Sequence, residues 1–259
     1  MTRTSESPVH TERVLGLGPF VFVCEHASNR VPDKYQNLGV TEDVLSSHAA
    51  WDIGALELSR LLSERFDSPL IASTVSRLVY DCNRAPESNT AIVLRSEDDK
   101  VPGNLSLTET QRQERVEAVY KPFANELSNV LDHRRSNNLD TTLVTIHSFT
   151  ASMHGKQRVV EIGVLHDCDS RFADQMLAAV PNHSNYKIER NQPYGPDDDV
   201  THTLKHHALP RQINNVMLEV RNDLLGDTES IEQISELLTA LLSDALSLTK
   251  VDVTQEGLL

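Results

Sequence analysis

The run Phe20-Val21-Phe22-Val23-Cys24 restricts the fold more than any other stretch of the chain. Five consecutive apolar residues, most of them β-formers, make a strand that has to be covered on both faces. That is the situation of a central strand in an α/β sheet. Thr141–Ile146 (TTLVTI) reads the same way, and Asn215–Arg221 (NVMLEVR) is the last core strand. Arg158–Leu165 and Tyr186–Glu189 add a further strand and a short edge-like one. Leu78, Val79 and Tyr80 continue the apolar run Pro69–Val75 as strand. Helical spacing appears in Asp52–Phe66, with Leu56, Leu58, Leu61 and Leu62 on one stripe, and in Thr228–Leu248. A long helix, roughly Thr108 to Arg135, contains Pro122, which should kink or split it. Residues 1–18 read as a loose polar arm before a single domain, 19–259.

Charge and cysteine usage exclude several function classes. The chain has 259 residues and a net charge of −14, which argues against nucleic acid or an anionic membrane as partner. Cys24, Cys82 and Cys168 show no CxxC spacing, as expected for thiols in a reducing cytoplasm. The polar N-terminus has no signal-peptide core, and no run approaches the roughly 20 apolar residues of a membrane span.

The strands deliver chemistry at their ends. Phe20–Cys24 runs into Glu25 and His26, and Thr141–Ile146 runs into His147. In an open α/β sheet ligands bind at the carboxyl ends of strands. The stretch Ser76–Pro86 (SRLVYDCNRAP) brings Arg77 and Arg84 to a third strand end, with the Asn83 amide beside the second. A planar guanidinium fork with a neighbouring amide suits a carboxylate. Glu219 lies inside an apolar strand and, if buried, has to meet a cation, a metal, Arg221 or Arg77. Asp52 is placed to cap the helix that follows it, and His48 lies four residues earlier. His202 and His206 have metal-compatible i, i+4 spacing but no accompanying glutamate, which favours solvent exposure. The long 87–107 connection reads as a cover over the site.

Five motifs, CEHASNRVP (24–32), HAAWDIGA (48–55), SRLVYDCNRAP (76–86), TIHSFT (145–150) and MLEVRNDLL (217–225), resemble the N-formylglutamate amidohydrolase family in its order. The resemblance implies a three-layer α/β/α sandwich with a central mixed sheet, similar to the zinc carboxypeptidase and aspartoacylase architecture. It implies a Zn2+ cofactor, with His26 and His147 as ligands, and Glu219 as the general base. It further implies that Arg77, Asn83 and Arg84 hold the substrate carboxylate and polarise the scissile carbonyl. Arg221 is grouped with the substrate-binding residues. Related carboxypeptidases use H-x-x-E, whereas the residue three after His26 is Asn29. Asp52 or Glu25 then supplies the third ligand, Asp52 being the assignment carried forward, or the metal is held weakly. The expected substrate is a small N-acyl amino acid. The alternatives are a peptidase or amidase with a larger substrate and a non-catalytic dicarboxylate-binding protein. Oligomeric state is not legible from the sequence.

Overall fold

The computed structural model describes residues 7–256 apart from 97, 98 and 154, with side chains through 249. Seven strands form one mixed sheet: β1 (Val9–Glu12), β2 (Phe20–Cys24), β3 (Leu70–Ser73), β4 (Thr142–Phe149), β5 (Ile162–Leu165), β6 (Ile188–Arg190) and β7 (Asn214–Arg221). Their order across the sheet is β1-β3-β2-β4-β7-β5-β6. Strands β3, β2, β4 and β7 run parallel, β1 is antiparallel to β3, and β5 and β6 run antiparallel to β7. Helices α2 (Ala55–Arg65), α5 (Arg171–His183) and α6 (Thr228–Glu256) cover one face, packing on Phe20, Phe22, Val144, Ile146, Val216 and Leu218. The other face packs Val21, Val23 and Leu143 against Val119, Phe123 and Leu127 of the long helical segment. The result is a three-layer α/β/α sandwich.

The two faces of the central strands differ in kind, and this difference positions the site. Side chains alternate along a strand. Val144 and Ile146 of β4, with Val216, Leu218 and Val220 of β7, go to the face under α5 and α6. Their neighbours Thr145, His147, Asn215 and Glu219 are buried polar groups in the same two strands. Register then pairs Glu219 with His147 across β7 and β4.

Several sequence expectations are revised. The 1–18 arm is not wholly loose: Val9–Glu12 pairs with Leu70–Ser73 as an edge strand, while residues 1–6 lie outside the described residues. Leu78, Val79 and Tyr80 are buried but not in a strand: Leu78 and Val79 lie in a turn and Tyr80 in irregular chain. Local hydrogen bonds replace the ladder there, since Val75 N donates to Ser73 Oγ and Leu78 N to Ser76 Oγ. The expected 158–165 strand is ordered as such only over Ile162–Leu165. The long helix changes its winding just before its proline and continues through it. It runs as α3 (Glu109–Arg115), a π-helical turn Val116–Tyr120 and α4 (Lys121–Ser136), with Pro122 in the first turn of α4. The wide turn accommodates the missing proline N–H. The 200–209 segment is also a π-turn, Leu204–Ala208. His206 is exposed as expected, whereas His202 is half-buried and hydrogen-bonds Tyr120 Oη at 2.8 Å, and the neighbouring His207 is buried. Among the described residues no helix is long and apolar enough to cross a membrane.

Candidate active site

His26 leaves β2 immediately after Glu25, and its carbonyl accepts from Asp52 N at 2.9 Å, which ties the 48–52 segment to the strand end. Asp52 does not cap α2. That helix begins at Ala55 with Gly54 as its N-cap, in the left-handed conformation (φ 80°) where a β-carbon would also strike Leu225. The carboxylate of Asp52 is thereby released to face the sheet. Its Oδ2 lies 3.2 Å from His26 Nδ1 and 3.0 Å from His147 Nδ1, and the two Nδ1 atoms are 3.2 Å apart. These three atoms make the one cluster among the described residues with the composition and spacing of a metal site. Edges of this length approach the roughly 3.3–3.4 Å expected for one face of a tetrahedron with bonds of about 2.0–2.1 Å.

The far nitrogen of each imidazole meets another carboxylate. His26 Nε2 lies 2.7 Å from Asp81 Oδ1, and His147 Nε2 lies 3.2 Å from Glu25 Oε2, the second pair lacking hydrogen-bond geometry. With each Nε2–H turned toward a carboxylate, both Nδ1 lone pairs and Asp52 Oδ2 converge on one point. Three acceptors so placed repel one another unless a cation joins them.

The electrostatics of the pocket favour positive charge at that point. Burial works against ionisation of Asp52, but the Arg77 guanidinium and His26 outweigh it and hold the carboxyl well below its usual range. Burial likewise depresses His26 and His147. It is outweighed by Asp81 and Asp52 at the first and by Glu25 at the second, so both imidazoles are raised. Glu219 is the exception. Burial pushes its carboxyl up to about 7, with His147 only partly opposing, and its Oε2 is buried without a hydrogen-bond partner. No ion pair to Glu219 forms among the described residues. Arg77 goes to Asp52, and Arg221 to Asp223 and Glu161, so the expected pairing with either arginine does not occur.

These groups share a cavity of about 360 Å³ to which the 87–107 segment contributes Val93, Arg95 and Ser96, consistent with its reading as a cover; residues 97 and 98 lie outside the described residues. His48 and Asp52 also line it, but His48 Nδ1 is 3.7 Å from Asp52 Oδ1, beyond a hydrogen bond. Arg77 is present but engaged, donating to Asp52 Oδ1 at 3.0 Å, to Ala49 O at 3.3 Å and to His48 O. Its first effect is to orient Asp52. Asn83 is also engaged: Nδ2 donates to Val200 O (2.6 Å) and Oδ1 accepts from Thr203 N (3.0 Å). Arg84 donates to Thr90 Oγ1 and Asn83 O, which leaves Nη2 without a partner among the described residues. Arg221 is not among the lining residues. Cys24 and Cys82 are buried, and burial raises both thiols, the opposite of an activated nucleophile. The sequence reading missed Asp81 as a partner of His26, because an Asx-turn residue explains itself locally. It also missed Tyr194 of the turn-rich 191–199 stretch, which lines the cavity.

A sequence profile of the N-formylglutamate amidohydrolase family matches residues 18–225. The chain belongs to the N-formylglutamate amidohydrolase family. Among solved structures, the chain is similar to a gene product from Agrobacterium tumefaciens, at 48% identity and TM-score 0.92, covering 94% of this chain and 96% of that one. It also shares its fold with an N-formylglutamate amidohydrolase from Ralstonia eutropha, at 16% identity and TM-score 0.71, over 94% of this chain and 99% of that one. No curated protein matches the sequence. The mixed-sheet sandwich is the fold shared with these structures, and hydrolysis of the N-formylglutamate amidohydrolase type is the chemistry the family supports.

Proposed function

We propose that this member of the amidohydrolase family cleaves the amide bond of a small N-acyl amino acid with an acidic side chain, N-formylglutamate being the model substrate, and releases the amino acid and a carboxylate. The observation that carries the reading is the convergence of His26 Nδ1, His147 Nδ1 and Asp52 Oδ2 beside the unpartnered Oε2 of Glu219. The donor set, two imidazoles and a carboxylate, fits Zn2+ better than Mg2+ or Ca2+, which favour all-oxygen ligands. Zinc held there would supply a Lewis acid that polarises the amide carbonyl and acidifies water at neutral pH.

The protein's own groups do the rest. Glu219 accepts a proton from the attacking water at Oε2 and returns it to the leaving amine nitrogen. Arg77 holds Asp52 in its ligating orientation while the Asp81 and Glu25 carboxylates hold the two imidazoles. Arg84 offers its open Nη2 to the substrate's α-carboxylate, and Asn83 fixes the turn that presents it. A cavity of about 360 Å³ suits an amino-acid-sized substrate and weighs against the larger-substrate alternative. We take residues 19–259 as one catalytic domain and, from three unbridged thiols, place the protein in the cytoplasm.

Metal analysis joined to a panel of N-acyl amino acids tests the reading. Stoichiometric zinc and turnover of N-formylglutamate are expected. Glu219→Gln should keep the zinc while losing at least about a hundredfold in kcat. Full turnover by Glu219→Gln would overturn the assignment of the base. A protein that binds dicarboxylates but purifies without zinc and hydrolyses nothing is a binding protein.

A further inference from the structure

Arg158 does not line the cavity, yet it touches two residues that do. Its Nη2 lies 2.7 Å from Tyr194 Oη and 2.7 Å from Met153 Sδ, both cavity residues. Its guanidinium lies over the rings of Phe149 and Tyr194, 5.3 and 4.9 Å from their centres. Nη1 is buried with no acceptor, and no carboxylate among the described residues pairs with this arginine. Every other arginine discussed above has a committed oxygen partner. A half-buried guanidinium that lies over two aromatic rings and has no carboxylate partner is placed to receive an anion.

The hydrogen bond to Tyr194 has a fixed direction. Arginine can only donate, so the phenolic oxygen accepts and the Tyr194 O–H is left to donate elsewhere. No described acceptor takes it, and the residue faces the cavity. The backbone brings it there by a close crossing. A β-carbon at Gly163 would lie 1.9 Å from Gln192 O, so only glycine lets the 191–194 chain fold back over the sheet beside Glu219, the register partner of Gly163.

Position in the sheet gives the pair its meaning. Strand β5 is antiparallel to β7, so Arg158, just before β5, lies at the carboxyl end of the parallel strands. Arg84 lies beyond β3, on the other side. The strands associated with His26, His147 and Glu219, namely β2, β4 and β7, lie between the two cations. A substrate with an anionic group at each end and its amide in the middle matches this layout.

We propose that Tyr194, with Arg158 behind it, forms a carboxylate subsite for the second carboxylate of a dicarboxylic N-acyl amino acid, while Arg84 receives the first. This rests on the hydrolase reading for the reaction but not for binding, and the two are tested apart. The holoenzyme and its Tyr194→Phe and Arg158→Gln variants are assayed on N-formylglutamate and on its side-chain amide, N-formylglutamine. In parallel, calorimetry measures glutarate and butyrate as non-reacting probes. Each variant should lose about 10- to 100-fold in kcat/KM on the diacid, mainly through KM, and the preference for diacid over amide should shrink by the same factor. The advantage of glutarate over butyrate should shrink with it. Equal losses on both substrates through kcat would mean that the pair serves the scissile carbonyl, and would overturn the subsite. An unchanged preference would overturn it as well. If nothing is hydrolysed, the hydrolase reading fails and the glutarate-to-butyrate comparison alone decides the subsite. Tyr194→Phe removes one hydroxyl and keeps the ring, so the test survives if Arg158→Gln does not fold.

Discussion

Asp81 and Glu25 show how much of the site depends on side chains that hold other side chains. Each faces the Nε2 of one histidine, and each stays ionised against the cost of burial because that imidazole is there: His26 for Asp81, His147 for Glu25. Removing such a carboxylate frees the ring to rotate and lowers its basicity, effects that typically cost 10- to 100-fold in metal affinity. Asp81→Asn and Glu25→Gln should therefore each weaken zinc binding by about that factor, read by competition with a chromophoric chelator. An affinity equal to wild type in both variants would show that the imidazoles are oriented by packing alone. His26, His147 and Glu219 stood out in the sequence because a polar group inside or at the end of an apolar strand is costly to bury without a partner. Asp81 did not, since an aspartate in a turn explains itself locally.

At the scale of elements, the working parts are turns held by side chains. The 81–84 turn and the 200–203 segment are joined through the Asn83 amide, whose two ends bond Val200 O and Thr203 N. Both partners are backbone groups of a segment with little regular structure, so nothing else is positioned to replace the lost bonds. Asn83→Ala should cost about 1–3 kcal/mol for each group left unsatisfied. The loss should appear as a lower denaturant midpoint, and KM should rise as Arg84 loses its fixed mounting. If stability holds and only KM rises, Asn83 contacts substrate directly. The sequence suggested that Asn83 grips substrate because its amide adjoins two arginines. It could not reveal that the amide is satisfied by a chain segment more than a hundred residues away.

For the whole molecule, the candidate metal triad draws on the end of β2, on β4 and on the loop before α2, so a cation held there would tie together segments far apart in the chain. Any ligand of the folded state alone stabilises it by mass action, about 4 kcal/mol at a free concentration a thousand times Kd. Chelation should lower Tm by several degrees, and zinc, not magnesium, should restore it. A Tm indifferent to chelator would argue that the three groups do not share a metal. By itself the sequence determined the layered α/β class, the central strands and the His and Glu residues they carry, because hydrophobic periodicity is a local property of the chain. Tertiary structure decided the rest. It gave the helix cap to Gly54, which left the Asp52 carboxylate in the cluster where the family resemblance had put it, and it committed Arg77 to Asp52. It carried Arg221 out of the cavity and brought Tyr194 in over Gly163. Each of these outcomes depends on which distant backbone groups claim a side chain's hydrogen bonds, and that competition is settled only when the strands are ordered in the sheet.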